Sequence, residues 1–335
     1  MTQPRRRGIL LLACAFAGLI LTHLPMATLV GLFLIAPLVL ARAWKQPALL
    51  IPATGAGVLA IGLTAFYLVP AISLQPYMST QGLWSPYYMP VNWHFFWSPD
   101  PTLGNLQLLG LWLVALALAA PTRTIWTWLT VGTAIAAIGM LPFLWLLPPI
   151  DKVQFPWRLL GVTEFAAVTA LFSTKGEKLR RVFVEMGAAL LVVPYALLVK
   201  YSVIGLNSPP DFARIHATMP DAVEYVPNGF NYRTIMNGQR ELDLRQYKAL
   251  PRGDSIRVER PGPVVMGRWT FPIWQVQRDS KPVPSAGPML HFEAQAPGTY
   301  RIVRVWLWQE IVGGIVSALA LMVAATLGWR GRRVR

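Results

Sequence analysis

Basic residues at the edge of an apolar stretch are the first candidates for chemistry in this sequence. Arg158 follows Phe155-Pro156-Trp157, and Lys152 lies six residues before it. An arginine at the depth of lipid headgroups can hold a phosphate through its fork of donors. Arg158 and Lys152 are therefore predicted to bind a lipid phosphate. The alternative is that Arg158 only anchors a helix at the membrane interface.

Three acidic residues are the candidates for catalysis. Asp100 and Asp151 are predicted to lie in outer loops close to the membrane, where either could act as a general base, although Asp100 also fits a turn. Glu164 is predicted to lie about two turns deeper than Arg158 on the same helix. There it could pair with a basic group, act as a base or form a hydrogen bond between helices.

An aromatic segment, residues 71–104, supplies candidate contacts to a sugar or a lipid. Its prolines prevent a long helix, so the segment is predicted to lie along the membrane interface. Its rings either form an aromatic belt or close over a ligand, because aromatic faces stack on both sugars and lipids. With His23, which lies where the first two predicted spans meet, the candidate contacts are Trp84, Trp93, His94 and Trp97.

Membrane helices are the elements that must position these residues. The chain is 54% apolar and only 13% charged, and its apolar residues form runs long enough to cross a bilayer. The fold class expected is an α-helical polytopic membrane protein of about eight spans, with one extracytoplasmic β-sandwich-like domain before the last span. The predicted spans are 8–24, 25–41, 47–70, 105–121, 124–147, 157–173, 182–204 and 305–328.

The placement of positive charge supports this topology. The formal net charge is +15, and the basic residues outside 205–303 fall mainly in alternate loops, which marks those loops as cytoplasmic. Both termini are then predicted to be cytoplasmic, and the charge is explained without a nucleic-acid partner. Membrane lipid is the partner that this charge favours. The main basic groups are Arg5–Arg7, Arg42 and Lys45, Arg123, Lys175–Arg181 and Arg330–Arg335.

Residues 205–303 differ from the rest in composition and are predicted to form a separate domain. Apolar and polar side chains alternate at 255–259, 289–293 and 299–303, as they do in half-buried strands. Turn signals separate these stretches, so an antiparallel sandwich is expected. The predicted organisation is a seven-span membrane domain at 1–204, this domain at 205–303, and the last span with a basic tail at 304–335.

The cysteine content and the motifs that the sequence lacks exclude several kinds of chemistry. Cys14 is the only cysteine, which excludes a disulfide within one chain, and it is predicted to be a buried residue of the first span. No small-residue cleavage site follows the apolar run after Arg5–Arg7, so this span is expected to stay uncleaved. No cofactor is predicted, because phosphate-cradling glycine loops and HExxH motifs are absent from the sequence. Binding of a divalent metal ion stays an open alternative.

Seven short motifs occur in a fixed order along the chain. They are Thr22–Pro25, Tyr67–Pro70, Phe155–Arg158, Glu224–Pro227, Phe271–Trp274, Asp279–Val283 and Ala296–Thr299. Together they resemble a known family, the bacterial multi-pass proteins called YfhO-like or pyruvoyl-tetrahydropterin synthase-related membrane proteins. The chain resembles the C-terminal half of a full-length member. At Ser280 it departs from the family, whose turn usually has glycine there.

The resemblance implies a function in the bacterial inner membrane. The family is similar to the C-type glycosyltransferases, which transfer a sugar from a polyprenyl-phosphate carrier, with a catalytic acid in the first outer loop. The first outer turn of this chain, His23–Met26, has no acidic residue, so the catalytic half is expected to be an upstream-encoded membrane half, either in the same reading frame or in an adjacent gene. Two alternatives stay open: a non-catalytic partner whose outer domain binds glycan or protein, and a carrier of lipid or solute.

Overall fold

The computed structural model describes residues 3–78, 101–120, 122–153, 155–173 and 250–330, with individual positions between 181 and 200. The described chain is helical in its first part, forms seven strands between residues 255 and 304, and ends in a long helix. Its described residues divide into two compact units. The first unit comprises those in 3–61, 101–200 and 322–330, and the second those in 62–78 and 250–321.

The helices follow one another with short interruptions. A π-helical turn, Gly31–Ile35, joins α2 to α3 without a break, and five 3₁₀ turns connect other elements within the described residues. These turns are Pro47–Leu49, Gln75–Tyr77, Pro142–Leu146, Ile150–Lys152 and Pro156–Leu159. The α-helices are α1 (Gln3–Thr22), α2 (Leu24–Val30), α3 (Ala36–Ala43), α4 (Leu50–Leu63), α5 (Ala65–Ser73), α6 (Pro101–Ala119), α7 (Ile125–Ala137), α8 (Leu160–Phe172) and α9 (Trp308–Arg330).

Two helices of the described chain are long and apolar enough to cross a membrane. They are Leu24–Ala43, with 20 residues, and Trp308–Trp329, with 22 residues. Only 11% of each is buried, so their apolar side chains face outward and need an apolar solvent. The pair Pro47–Leu63 and Ala65–Ser73, which is bent by 71°, would be a third span if counted as one. The protein is therefore membrane-associated, and the described residues provide two or three candidate spans rather than the eight that were predicted.

The helices at 124–147 and 157–173 are shorter than predicted. Helix α7 ends at Ala137, and the chain then turns through Gly139, whose φ is +90°, into the 3₁₀ turn at Pro142–Leu146. Glycine at positive φ and proline are common at helix ends, so the prediction of one continuous helix over 124–147 was wrong. Helix α8 likewise has 13 residues, which is about 20 Å of α-helix and less than a bilayer core of about 30 Å.

Cys14 differs from its prediction. It is exposed on α1, although it was expected to be buried. The buried face of α1 carries Ile9, Ala13, Ala17 and Ile20, which recur at helical spacing, and Cys14 is one residue away from that face. The apolar run predicted the helix correctly, but a helix with apolar residues on all sides does not indicate which side packs against protein.

Helices α6, α7 and α8 pack closely through small residues and threonines. A Cβ atom placed on Gly110 of α6 would lie 2.6 Å from Ile138 Cγ2 and 3.3 Å from Leu160 Cδ2, so glycine is needed for this close approach. Thr163 Oγ1 of α8 donates a hydrogen bond of 3.0 Å to Thr133 Oγ1 of α7, and both side chains are buried. The three helices are thus joined by short contacts and by hydrogen bonds made inside the unit.

The strands form two antiparallel sheets over one core. One sheet has the order β1-β7-β3-β4 and the other β2-β6-β5. The strands are β1 (Ser255–Val258), β2 (Gly262–Trp269), β3 (Trp274–Arg278), β4 (Lys281–Val283), β5 (Ser285–Ala286), β6 (Met289–Ala294) and β7 (Gly298–Arg304). Met266, Val276, Leu290, Phe292 and Tyr300, from both sheets, bury their side chains together. The three strands predicted from alternation, β1, β6 and β7, are confirmed.

A serine of α9 completes the hydrogen bonding where α4 ends and α5 begins. Ser317 Oγ donates to the Gly62 carbonyl oxygen at 3.0 Å and accepts from the Phe66 amide at 2.9 Å. A helix break leaves backbone groups without intrahelical partners, and inside a membrane a neighbouring side chain can satisfy them. A Cβ on Gly313, one turn earlier in α9, would lie only 2.5 Å from the Ala65 carbonyl oxygen, so the two helices are in backbone contact.

The link from the last strand to the last helix is short and ordered by hydrogen bonds. Val305 donates its amide hydrogen to Ile273 O at 2.8 Å, and Glu310 of α9 accepts from the Leu307 amide at 2.9 Å. Glu310 also pairs with the Arg304 guanidinium. The prediction that the last strand leads directly into the last apolar helix is confirmed.

Candidate functional site

The irregular segment between α7 and α8, residues 138–159, surrounds a buried core that several candidate residues flank. Trp145 is fully buried and donates from Nε1 to the Ala136 carbonyl oxygen at 3.1 Å. Leu29 of α2 and Ile150 and Leu159 of the segment belong to the same core. The 3₁₀ turns at 150–152 and 156–159 therefore both pack against α2, which begins next to His23.

Arg158 lies on an aromatic surface made by its own motif. Its guanidinium carbon is 4.6 Å from the centre of the Phe155 ring, within the range of a cation–π contact. The Phe155 ring stacks in turn on Trp157, with centroids 4.8 Å apart and planes at 29°. Proline at the first position of the 3₁₀ turn Pro156–Leu159 brings residues 155 and 158 together. A half-buried arginine whose guanidinium carbon lies over a ring can still use its N–H groups for hydrogen bonds.

The charge of Arg158 is not neutralised within the part of the chain that the structure describes. No carboxylate of the described residues lies within ion-pair distance of its guanidinium. A half-buried cation without an anionic partner is an unfavourable arrangement, and an anion from outside the chain would relieve it. This arrangement fits the predicted phosphate contact.

Asp151 and Lys152 lie in the 3₁₀ turn that precedes Arg158. The Asp151 amide donates to Leu147 O at 2.9 Å, and the Oδ1 atom of its carboxylate is buried. The backbone of Lys152 closes the same turn, while its side chain is outside the described atoms. The structure thus brings the turns of Asp151 and Arg158 to one core, the arrangement that a joint site requires.

His23 has a local structural role in addition to its predicted contact role. Its Nδ1 atom accepts the Met26 amide hydrogen at 3.1 Å and so caps the first turn of α2. An accepting Nδ1 requires a ring whose Nδ1 carries no proton. His23 is therefore near the turns of Asp151 and Arg158 through α2, but one of its ring nitrogens is already engaged.

Glu164 is separated from this group of residues. Its Oε1 atom accepts a hydrogen bond of 2.6 Å from Tyr195 Oη, across 31 positions of sequence. A hydrogen bond between helices was one of the alternatives predicted for Glu164, and this contact has that form. Tyr195 was missed because a single tyrosine in an apolar stretch carries no signal of its partner.

The other candidates lie outside the described residues. These are Asp100 and the aromatic-segment residues Trp84, Trp93, His94 and Trp97. Among the residues that are described, no group of three or more His, Cys, Asp or Glu side chains could hold a metal ion. The candidate site on the helical unit is therefore defined by Asp151, Phe155, Trp157 and Arg158.

The β-sandwich carries a second candidate site that was not predicted. A cavity of about 420 Å³ lies beside the hairpin of β3 and β4, and its volume suits a small polar ligand. Arg278 and Lys281 contribute donors to its wall, and Glu293 and Gln295 contribute acceptors. Arg278 pairs with Asp279 at 3.4 Å, so the charges of the cavity are largely balanced. No sequence signal indicated it, because its walls come from separate strands.

Comparison with models of protein families, with curated protein sequences and with solved structures finds no match for this chain. The class of protein therefore follows from the fold alone. The chain is a membrane-associated, mainly helical protein with a C-terminal β-sandwich joined directly to an apolar helix.

Proposed function

We propose that this protein is a membrane-embedded, glycosyltransferase-like protein of the cell envelope that binds a polyprenyl-phosphate-linked sugar. The observation that carries the proposal is the half-buried Arg158 guanidinium, which lies on the Phe155 ring without a described carboxylate partner. Such a group matches the charge and planar geometry of a phosphate. The aromatic pair Phe155 and Trp157 would contact the first isoprene units or the sugar.

The proposed topology is multi-pass in the bacterial inner membrane, with an even number of spans. Both termini are then cytoplasmic, and the sandwich at 255–304 lies on the outer side, at the start of α9. Exposed tryptophans lie at both ends of α9, with Trp306 before it, Trp308 at its first position and Trp329 in its last turn. Tryptophan concentrates at both membrane interfaces, which supports α9 as a complete crossing. The alternation of basic loops supports the orientation.

In the proposed reaction, Arg158 and Lys152 would hold the phosphate of the donor. Asp151 is the acidic residue of this group and would accept the proton of the acceptor hydroxyl as its oxygen bonds to the anomeric carbon of the sugar. The bond between that carbon and the phosphate oxygen breaks, and polyprenyl phosphate leaves. If catalysis instead belongs to an upstream-encoded half, Asp151→Asn would leave transfer by the assembled proteins unchanged. A loss of transfer with retained donor binding would assign the base to this chain.

Binding of a polyprenyl phosphate to the full chain in detergent tests the phosphate site. We expect Arg158→Ala to weaken binding about tenfold or more, because a charge-assisted hydrogen bond contributes about 1.5–3 kcal/mol. Arg158→Lys should retain part of the affinity, since lysine keeps the positive charge but not the planar pair of hydrogen-bond donors. Arg257→Ala, which removes an exposed arginine of β1, is the matched control. The dissociation constant can be measured by native mass spectrometry.

Binding of a polyprenol, which has no phosphate, measures the contribution of the isoprenoid hydrocarbon alone. The Arg158→Ala variant and the unmodified protein should bind the polyprenol equally. If Arg158→Ala and Arg257→Ala bind the polyprenyl phosphate with the same affinity, Arg158 has only an anchoring role and the proposed site is wrong.

A second candidate function is glycan binding by the sandwich, and the hairpin cavity specifically favours it. Its mixed donors and acceptors match the hydroxyl groups of a neutral sugar better than they match an anion. Glu293→Ala in the full chain should reduce retention on immobilised envelope glycan, while Glu259→Ala, at an exposed position outside the cavity, should not. Equal retention by both variants would contradict glycan binding at this cavity.

A further inference from the structure

A cavity in the helical unit lies at the end where the chain concentrates its positive charge. Its volume is about 470 Å³, and it is walled by α1, α3, the start of α4 and the first turn of α7. The walls include Leu12, Leu38, Pro52 and Ala53, which are apolar. Such a lining excludes most polar ligands but suits a hydrocarbon chain.

Arg42 is the charged residue among those that line this cavity. It lies in the last turn of α3 and is exposed. Within the described part of the chain, no carboxylate forms an ion pair with it. Trp126, in the first turn of α7, lies in the same wall and has the amphipathic ring that is typical of the headgroup region. The cavity thus combines an apolar interior with a cation and an interfacial aromatic ring.

The surroundings of the cavity add charge of the same sign. Arg6 and Arg7 precede Gly8, which lines the cavity, and Lys45 follows Arg42. Each basic residue near a membrane surface attracts anionic lipid by about 1 kcal/mol. A lipid with a negative headgroup and an acyl chain matches both the charge at this end and the apolar interior.

We propose that the cavity at Arg42 is a binding site for one anionic phospholipid, whose phosphate contacts Arg42 and whose acyl chain enters between α1, α3 and α4. This site is distinct from the one at Arg158, because it is formed by different elements. It requires neither a sugar donor nor catalysis. A bound lipid would fill the space between these helices and hold them together.

Titration of the full chain in detergent with phosphatidylglycerol, followed by native mass spectrometry, tests the headgroup contact. Arg42→Ala should weaken binding about tenfold or more, because it removes a charge-assisted contact. Lys45→Ala, three residues away and outside the cavity wall, should weaken binding by at most about fivefold, the effect of general surface charge. Equal losses in the two variants would overturn the site.

A second pair of variants tests the interior without changing any charge. Gly8 lines the cavity and Gly18 lies on the same helix, and a Cβ at either position meets no atom within 4 Å. Gly8→Leu should fill the cavity and weaken phosphatidylglycerol binding about tenfold, whereas Gly18→Leu should not change it. The same weak effect for both variants would overturn the proposal, and thermal unfolding of each variant verifies that the helices are intact.

Two further ligands identify the occupant. Phosphatidylcholine with the same acyl chains should bind more weakly, since its headgroup has no net charge. Glycerol phosphate, which has the headgroup without the chains, should not bind measurably. Binding of glycerol phosphate with the affinity of phosphatidylglycerol would show a site for free phosphate and overturn the assignment to a lipid.

Discussion

Different side-chain contacts hold together helices α6, α7 and α8 on the one hand and the β-sandwich on the other. The helices approach through Gly110 and join through the hydrogen bond between Thr163 and Thr133. The sandwich buries large apolar residues such as Phe292 and Tyr300, whose rings lie 5.0 Å apart. The helical unit also buries large apolar side chains, among them Trp145 and Leu109, and it adds a close helix approach and internal hydrogen bonds to that burial.

The difference matches the membrane location proposed for the helices and the aqueous location proposed for the sandwich. Lipid is as apolar as a leucine side chain, so burying leucine between membrane helices gains little, and close van der Waals packing and hydrogen bonds must join them. In water, the same burial stabilises by about 25 cal/mol for each Å² of apolar area. The contrast therefore predicts how strongly four substitutions change the free energy of unfolding of each region.

The largest effect is expected in the sandwich core. Phe292→Ala removes a fully buried ring and should lower the free energy of unfolding of the sandwich by about 3–5 kcal/mol. Val265→Ala, on β2, removes a side chain that is 37% exposed and should lower it by less than about 1 kcal/mol. Pulse proteolysis of the full chain in urea measures both. Similar losses would show that the sandwich is not held by its core.

Gly110→Ala is the corresponding test for the helices. Its added Cβ would overlap Ile138, so we expect a loss of about 1–3 kcal/mol in the stability of the helical unit. Gly132→Ala on α7 is the matched control, because a Cβ there meets no atom within 4 Å and alanine favours a helix. Thermal unfolding in detergent compares the two. If both variants unfold at the same temperature as the parent, close approach at Gly110 is not needed.

A stabilising change is expected at the hairpin of β3 and β4. Asp279 and Ser280 form its two-residue turn with φ of +50° and +62°, a conformation that is strained for both residues. Ser280→Gly should raise the free energy of unfolding of the sandwich by about 1 kcal/mol. Ser285→Gly, in β5, should instead lower it, because glycine in a strand loses more entropy. Chemical denaturation with proteolysis measures the sign of each change.

The smallest effect is expected at the threonine contact. Thr163→Val keeps the shape but removes the hydrogen bond to Thr133, which in membrane proteins contributes about 0.6 kcal/mol on average. Thr169→Val, on an exposed face of α8 where the hydroxyl bonds only its own helix, should change less. A loss of several kcal/mol in Thr163→Val would mean that hydrogen bonds, and not close packing, dominate this interface.

Local patterns accounted for what could be predicted of the site. Phe155 and Arg158 are three residues apart within one motif, and the proline between them brings the ring and the guanidinium together. The contact of Glu164 with Tyr195 joins two stretches that are each simply apolar, so no local pattern indicates it. The hairpin of β3 and β4 was expected only from the family resemblance at Ser280, and local patterns did not indicate it, because its strands are short and its turn has no glycine.

By itself, the sequence determined the membrane association and the strands that alternate between core and water. Hydrophobicity and alternation are properties of neighbouring residues, and they respond directly to the solvent. Tertiary structure alone decided where α7 stops, which face of α1 packs, and which side chains meet at Arg42 and at the hairpin cavity. A stretch that is apolar on every side can pack in several ways, and only its contacts with distant elements select one.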